Sequence, residues 1–166
     1  MHDDYHLDRR LTHHGQDKHQ ERDVDWKIEL VVVPVSDVDR AKQFYAEQLG
    51  FVVDVDDSPM EGFRVVQLTP PGSACSISIG QGLTEAVPGT LQGMQMCVGD
   101  IDAAYAQLVE RGVDVSPIRH VDQAQGGWAD GKGGVYNSFI FFKGPDGNGW
   151  AIQESPLLGG AGSESA

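Results

Sequence analysis

Apolar residues alternate with polar ones, or form short continuous runs, in eight segments of the chain, and this pattern predicts eight strands. Two further segments repeat apolar residues every three to four positions, which predicts two helices. The predicted strands cover residues 26–33, 51–55, 63–69, 74–79, 94–98, 113–118, 138–142 and 150–154. The acidic residues 54–61 are expected to form a loop between the second and third strands.

Each predicted helix has a start signal and a stop signal. Ser36 or Asp37 supplies a side-chain oxygen that caps the first helix, and Asp100 does the same for the second. Gly50 and Gly112 follow the helical patterns and favour the left-handed backbone at which helices end. The apolar positions are Val38, Ala41, Phe44, Tyr45 and Leu49 in the first helix, and Ile101, Ala104, Tyr105, Leu108 and Val109 in the second.

The start of the first helix occurs a second time in the chain. Residues 35–41 read Val-Ser-Asp-Val-Asp-Arg-Ala, and residues 98–104 read Val-Gly-Asp-Ile-Asp-Ala-Ala, at an offset of 63 residues. An internal repeat predicts that each copy belongs to one supersecondary unit. Together with the strands, it predicts one βαβββ module over 26–82 and another over 93–156, joined by a linker at 83–92.

The two ends of the chain lie outside this pattern. Residues 1–25 are polar, lack periodicity and contain five of the six histidines. Such a segment cannot bury enough apolar surface to fold, so it is predicted to be a disordered, His-rich extension that binds divalent metal weakly at most. Residues 157–166 are small and polar, and they are predicted to form a flexible tail.

Charge and composition narrow the classes of function. The formal net charge is −13, of which residues 1–25 contribute −3, and this negative field disfavours nucleic acid and anionic membrane surfaces as partners. No apolar run reaches the roughly 20 residues that span a bilayer. Because no leader-like segment opens the chain, the cytoplasm is the expected compartment. Cys75 and Cys97 lie in apolar runs and are expected to be reduced, buried thiols.

A long glycine-rich stretch, residues 120–137, separates the sixth and seventh predicted strands. Loops of this length in compact domains are usually functional or disordered. Trp128 and Tyr136 lie within the stretch, and aromatic side chains in a glycine-rich loop favour a lid over a ligand site.

The chain resembles the vicinal oxygen chelate superfamily of glyoxalases, bleomycin-resistance proteins and extradiol dioxygenases. The resemblance rests on the two βαβββ modules, on Phe44-Tyr45 in the first helix and on the Pro-Asp-Gly-Asn turn at 145–148, and it covers residues 26–156. It implies an α+β fold in which a mixed sheet curls into a cup with both helices outside. It also implies a homodimer, because members of this fold commonly pair.

The resemblance places metal ligands inside the cup, on the first, fourth, fifth and eighth strands. The corresponding residues here are Leu30, Ile77 or Ser78, Gly93 and Ala151. None of them offers the carboxylate or imidazole that a divalent cation prefers. The sequence therefore predicts no metal cofactor, which departs from the metal-using members of the superfamily.

Strand alternation predicts which side chains share the inner face of the cup with those positions. A mixture of apolar, small and amide side chains is typical of a small-molecule pocket with a few orienting polar groups. The expected ligand-binding residues are Leu30, Gln67, Gln95, Cys97, Trp128, Ala151 and Gln153. In the alternative interpretation, Gln95 and Gln153 hydrogen-bond to one another in a closed core or at a wet rim.

An enzymatic hypothesis depends on His120, the only histidine of the predicted folded region. Histidine titrates near neutral pH, so His120 is a candidate general acid or base, paired with Tyr136 or Glu154. Strand parity nevertheless places Glu154 on the outer face of the cup. A lone histidine is also more often a structural residue than a catalytic one.

These observations favour a metal-independent member of the superfamily that binds a small organic molecule, cationic or aromatic, in its cup. The alternative is a lyase, isomerase or dioxygenase-like enzyme that uses His120 or a non-standard metal site. A purely structural or partner-binding protein is the third class, and it predicts no pocket.

Overall fold

The computed structural model describes residues 24–158, and within them nine strands form two sheets, one in each module. The first sheet has the order β1-β4-β3-β2, with β1 Leu30–Val32, β2 Val52–Met60, β3 Phe63–Thr69 and β4 Ser76–Gln81. The second has the order β5-β9-β8-β6-β7, with β5 Met94–Val98, β6 Arg119–Asp122, β7 Gly127–Asp130, β8 Phe139–Lys143 and β9 Gly149–Glu154. The helices are α1 Val38–Gln43, continued by a π-helical segment at Phe44–Gln48, and α2 Ile101–Glu110. The predicted α+β class is confirmed.

The two sheets repeat one topology. In each, the first strand pairs in parallel with the last strand, so that Leu30 lies opposite Ser76 and Gln95 lies opposite Ala151. The remaining strand pairs are antiparallel. Because the parallel pair needs a crossover connection, each module carries its helix between the first strand and the rest of its sheet.

The predicted helix starts and stops are confirmed in both modules. Asp37 Oδ1 accepts a hydrogen bond from Arg40 N at 3.0 Å, and Asp100 Oδ1 accepts one from Ala103 N at 2.9 Å. Gly50 and Gly112 have φ angles of 76° and 75°, in the left-handed region that only glycine adopts without strain.

The first helix departs from the predicted single α-helix in its second half. Leu49 N donates to Phe44 O at 3.1 Å, which is the spacing of a π-helix. Tyr45 on this segment is fully buried, and its hydroxyl accepts a hydrogen bond from Trp150 Nε1 at 3.2 Å. The π-helical segment therefore joins the first module to the aromatic core of the second.

One hydrophobic core serves both sheets. The rings of Phe142 and Trp150 are stacked with centroids 6.0 Å apart, and the Tyr45 ring lies 5.8 Å from that of Trp150. Trp150 is 4% exposed. The strand residues of this core are Val66, Leu68, Ile77 and Ile79 from the first sheet and Ile140, Phe142, Trp150 and Ile152 from the second.

Asn148, in the turn before β9, holds three parts of the chain together. Its Nδ2 donates to Pro34 O at 2.8 Å, and its Oδ1 accepts from Leu91 N at 3.1 Å. Pro34 follows β1 and Leu91 belongs to the linker between the modules. Asn148 is only 1% exposed, so water cannot replace these bonds.

The predicted strand at 113–118 and the predicted loop at 120–137 are wrong. The predicted strand at 113–118 contains only an isolated bridge at Val115, because Ser116 Oγ occupies Phe141 N and Pro117 has no N–H to donate. The strand lies further along, as β6, and residues 120–137 contain most of the β6–β7 hairpin instead of a single loop.

The acidic segment 54–61 is not a loop, because β2 continues through it to Met60. Asp56 on this strand accepts hydrogen bonds from Arg64 at 2.9 Å and from Lys42 at 2.7 Å. The hydrogen bond from Arg64 has the largest effect and the bond from Lys42 the next. Together they hold the pKa of Asp56 well below its usual range. Local pairing with cations thus lets an acidic segment form an edge strand.

The ends of the first strand and both cysteines also differ from expectation. The strand is limited to Leu30–Val32, and Trp26 is 90% exposed. The cysteines are free thiols as expected, but Cys75 is only half-buried and Cys97 is exposed.

The predicted extension at 1–25 and tail at 157–166 lie mostly outside the described residues. Neither helix within 24–158 has the length and hydropathy to cross a membrane.

We expect Asn148→Ala to lower the free energy of unfolding by about 2–5 kcal/mol, because it leaves two backbone groups without partners in a buried site. Urea unfolding measures this change. Asn137→Ala is the matched control, since Asn137 also bonds two backbone groups, the N and O of Val121, but in an exposed hairpin. An equal loss in both variants would contradict the role assigned to Asn148.

Stability should also fall in strong alkali. Burial raises the pKa of Tyr45 to about 12, above the value near 10 that it has in the unfolded chain. The neutral phenol therefore favours the folded state, and this contribution is fully present below pH 10 and is lost as the pH rises toward 12. Urea unfolding should show about 2–3 kcal/mol of pH-dependent loss in this window that Tyr45→Phe does not show. An equal loss of unfolding free energy between pH 10 and 12 in wild type and Tyr45→Phe would contradict the role assigned to the Tyr45 hydroxyl.

Candidate ligand site

Each sheet has a core face and an opposite face, here called the concave face. In β8, Ile140 and Phe142 are buried in the core, whereas Phe139 and Phe141 lie half-buried on the concave face. Ala151 lies directly opposite Phe141 in β9 and shares this face. Residues that line the concave face are thus separate from those that stabilise the core.

Three aromatic side chains form an exposed cluster on the concave face of the second sheet. The Trp128 ring is perpendicular to those of Phe139 and Phe141, with centroids 5.4 Å and 5.0 Å away. Trp128 is 46% exposed although it packs against two rings. This aromatic cluster offers polarisable apolar surface of the kind that stacks on a planar ligand.

A cavity of about 580 Å³ lies beside the aromatic cluster. Phe141 belongs to both, and Gly93 and Ala151 also line the cavity. A Cβ at Gly93, where φ is +81°, would meet no atom within 4 Å, so this position borders open space. The complete lining comprises residues 92–93, 114–116, 141–143 and 149–151.

The residues at the superfamily's metal positions do not fit a metal ion. Ile77 is 3% exposed within the core, so Ser78 is the fourth-strand residue on the concave face. Leu30, Gly93 and Ala151 provide no donor atoms in their side chains. Across the described part of the chain, no three His, Cys, Asp or Glu side chains come together. These positions therefore offer no ligand set for a divalent cation.

The glutamine pair on the second sheet is hydrogen-bonded, as the alternative interpretation held. Gln95 Nε2 donates to Gln153 Oε1 at 2.9 Å, and Gln153 Nε2 donates to Tyr136 O at 2.6 Å. Gln95 is exposed, so the pair lies at a wet rim. Tyr136 has φ of 57°, and its bond to Gln153 helps to hold this strained backbone over the edge of the sheet.

The structure does not bring the three catalytic candidates together. His120 Nδ1 lies 3.0 Å from Gly131 O, and His120 is on the face of the β6–β7 hairpin opposite to Trp128. Glu154 Oε2 accepts hydrogen bonds from Ile101 N at 3.0 Å and from Lys132 Nζ at 2.9 Å. These bonds place Glu154 beside the start of α2, on the face of β9 opposite to the concave face.

The seven expected ligand-binding residues fall on two different sheets. Leu30 and Gln67 belong to the first sheet, and the other five belong to the second. Of the seven, Ala151 lines the cavity. Trp128 does not line it but packs against Phe141, which does. No residue of β1–β4 lines this cavity.

The predicted site residues do not include Phe139 and Phe141, which lie in the predicted strand at 138–142. Alternation within that run was the available signal, because Ile140 and Phe142 already satisfied the core face. Nothing in the sequence pointed to Asp114 and Lys143, which also line the cavity. Asp114 lies in the segment 113–118, which was predicted to be a regular strand.

Comparison with solved structures gave relatives of the same architecture. TnmS3, an antibiotic binding protein from Streptomyces sp. CB03234, is 30% identical, and the alignment covers 81% of this chain and 99% of that one, with a TM-score of 0.64. A glyoxalase/bleomycin resistance protein from Streptomyces sp. CB03234 is 32% identical, with coverage of 77% and 100% and a TM-score of 0.61. A superfamily member from Sphaerobacter thermophilus DSM 20745 is 28% identical, with coverage of 79% and 98% and a TM-score of 0.63.

The search of curated proteins gave no match. Residues 27–152, however, match the sequence profile of one family. This match extends over most of the described chain and agrees with the repeated topology and with the structural relatives. The chain belongs to the Glyoxalase/Bleomycin resistance protein/Dioxygenase superfamily.

Proposed function

We propose that this protein binds a small aromatic molecule on its concave surface, without a metal ion. The observation that carries the proposal is the 580 Å³ cavity beside the exposed aromatic cluster of Trp128, Phe139 and Phe141. Cavities of this size suit drug-sized ligands. The likeness to TnmS3, an antibiotic binding protein, supports the same class of function.

The charges around the cavity favour a neutral aromatic ligand over a cation. Its lining contains one carboxylate, Asp114, and one ammonium, Lys143. These opposite charges offset one another locally, despite the net charge of −13 for the whole chain. Affinity would then come mainly from ring contacts and from the exclusion of water.

A homodimer is part of the proposal, as the resemblance implies. Exposed apolar side chains on the concave faces are the surface that such a dimer would cover. Val55 is 40% exposed, Val121 40% and Met60 66%. A second copy placed over these residues would bury them and enclose the ligand.

No observation favours the enzymatic alternative. His120 lies on the face opposite to the aromatic cluster, and Glu154 is engaged by Lys132 and the start of α2. A general acid or base needs to reach the ligand directly or through one water molecule.

Trp128→Ala should remove most of the stabilisation by a planar aromatic probe. We expect 2-naphthol at about ten times its dissociation constant to raise the melting temperature by several degrees, because it binds only the folded protein. Differential scanning calorimetry measures the shift. Trp128→Phe retains a ring and is the matched control, which should keep at least half of the shift. Equal shifts in wild type and Trp128→Ala would contradict the proposed site.

The metal-independent part of the proposal is tested by elemental analysis of the protein without residues 1–25. Removing the His-rich segment removes the histidines that could hold divalent ions weakly. We expect far less than one equivalent of divalent ion per chain after dialysis without chelator. The full-length chain is the control for metal held by the histidines. One tightly held equivalent in the shortened protein would overturn metal independence.

A further inference from the structure

Gln92, at the end of the linker between the modules, has an amide group whose orientation is fixed. Its Nε2 donates to Gly89 O and to Gly147 O, each at 3.1 Å. An amide oxygen cannot donate to two carbonyl oxygens, so these bonds determine which amide atom is the nitrogen. Both Nε2 protons are thereby used, and Gln92 Oε1 accepts no hydrogen bond from residues 24–158.

This free amide oxygen lies over the backbone of β9. A Cβ atom added at Gly149 would collide with Gln92 Oε1, so the oxygen occupies the place that a side chain would take at this position. Gly149 and Ala151 are two residues apart in β9 and therefore face the same side of the sheet. Gln92 Oε1 is thus a hydrogen-bond acceptor on the concave face.

The backbone next to Gln92 is held by the turn before β9. Gly149 N donates to Leu91 O at 2.9 Å, and Leu91 N donates to Asn148 Oδ1 at 3.1 Å. Both backbone polar groups of Leu91 are therefore anchored, in addition to the amide of Gln92. The acceptor is positioned before a ligand arrives, which reduces the entropy cost of binding.

Gln92 and the aromatic cluster border one cavity. The cavity of about 580 Å³ is lined by Gln92, Gly149, Ala151 and Phe141, and Phe141 packs against Trp128. Ala151 lies directly opposite Phe141, and the step from Ala151 to Gly149 along β9 spans roughly 6.6 Å. A bicyclic aromatic molecule that contacts Phe141 can therefore extend the substituent at its far end to Gln92 Oε1.

We propose that Gln92 Oε1 selects aromatic ligands that carry a neutral hydrogen-bond donor, a hydroxyl or an amide N–H, at the end that lies over Gly149. This inference rests on the proposed function, which supplies the ring contacts. A carboxylate is disfavoured at this end, because it has no proton to donate and would face the lone pairs of the amide oxygen. Gln92 thereby determines specificity, whereas the aromatic cluster provides affinity for the ring.

The other polar side chains of the cavity fit this role less well. Ser116 Oγ already donates to Pro117 O at 2.8 Å and accepts from Phe141 N at 2.9 Å. Asp114 is exposed and also lines a second cavity beside α1, and the removal of water from a carboxylate is costly. Lys143 can only donate.

Isothermal titration with 2-naphthol and with 2-methoxynaphthalene tests this assignment. Both probes present an oxygen on the same ring system, but only 2-naphthol can donate a hydrogen bond. The affinity ratio of 2-naphthol to 2-methoxynaphthalene should be about 3- to 10-fold larger in the wild type than in Gln92→Ala, which is the effect of one hydrogen bond. Comparing the ratios between proteins cancels the differences in size and hydration between the probes.

Gly149→Ala is the second variant, because it keeps the glutamine but places a methyl group where Gln92 Oε1 lies. It should lower the ratio in the same direction. Gln95→Ala is the matched control, since Gln95 Nε2 also donates a hydrogen bond, to Gln153 Oε1, but Gln95 does not line the cavity. This control and Asp114→Asn should both keep the wild-type ratio.

The outcomes separate this inference from the proposed function. A wild-type ratio in Gln92→Ala refutes the role of Gln92, and if that variant does not fold, the ratio in Gly149→Ala decides in the same way. A loss of the ratio in Gln95→Ala or Asp114→Asn as large as in Gln92→Ala also refutes it. In these cases the aromatic site stands as long as Trp128→Ala weakens both probes. If neither probe binds the wild type, the proposed function fails and this inference fails with it.

Discussion

The two hydrogen bonds of the Asn148 side chain determine how the halves of this protein sit against each other. One reaches Pro34 at the end of β1, and the other reaches Leu91 in the linker. The Tyr45–Trp150 contact and the aromatic core around it require that alignment, because their rings come from different modules. Asn148 therefore connects the Pro-Asp-Gly-Asn turn to the packing of the whole molecule.

The side chains on the concave faces of the two sheets do not take part in the hydrophobic core. The core is assembled from side chains on the opposite face of each sheet, so residues such as Trp128 can stay exposed. Within the described residues, Ser78 Oγ is a buried side-chain atom without a hydrogen-bond partner, whereas Arg119 Nε lies 3.3 Å from Asp130 Oδ1.

Much of the fold was predictable because its signals are local. The repeat, the capping aspartates and the glycine stops each act within a few residues, and all are present in the structure. The strand at 113–118 failed because the Ser116 side chain competes for Phe141 N, a contact 25 residues away. The face of His120 could not be predicted either, because it depends on a hairpin register set by the pairing with Ala129. Phe139 and Phe141 were not distinguished from core residues because every residue of 139–142 is apolar.

The backbone at Gly93 limits which side chains this position accepts. Its φ of +81° strains any other residue, so a histidine there would distort the backbone as well as fill the cavity. The main chain, and not only the side chain, therefore disfavours a metal ligand at this position. An imidazole could be introduced here only together with a change in the local backbone.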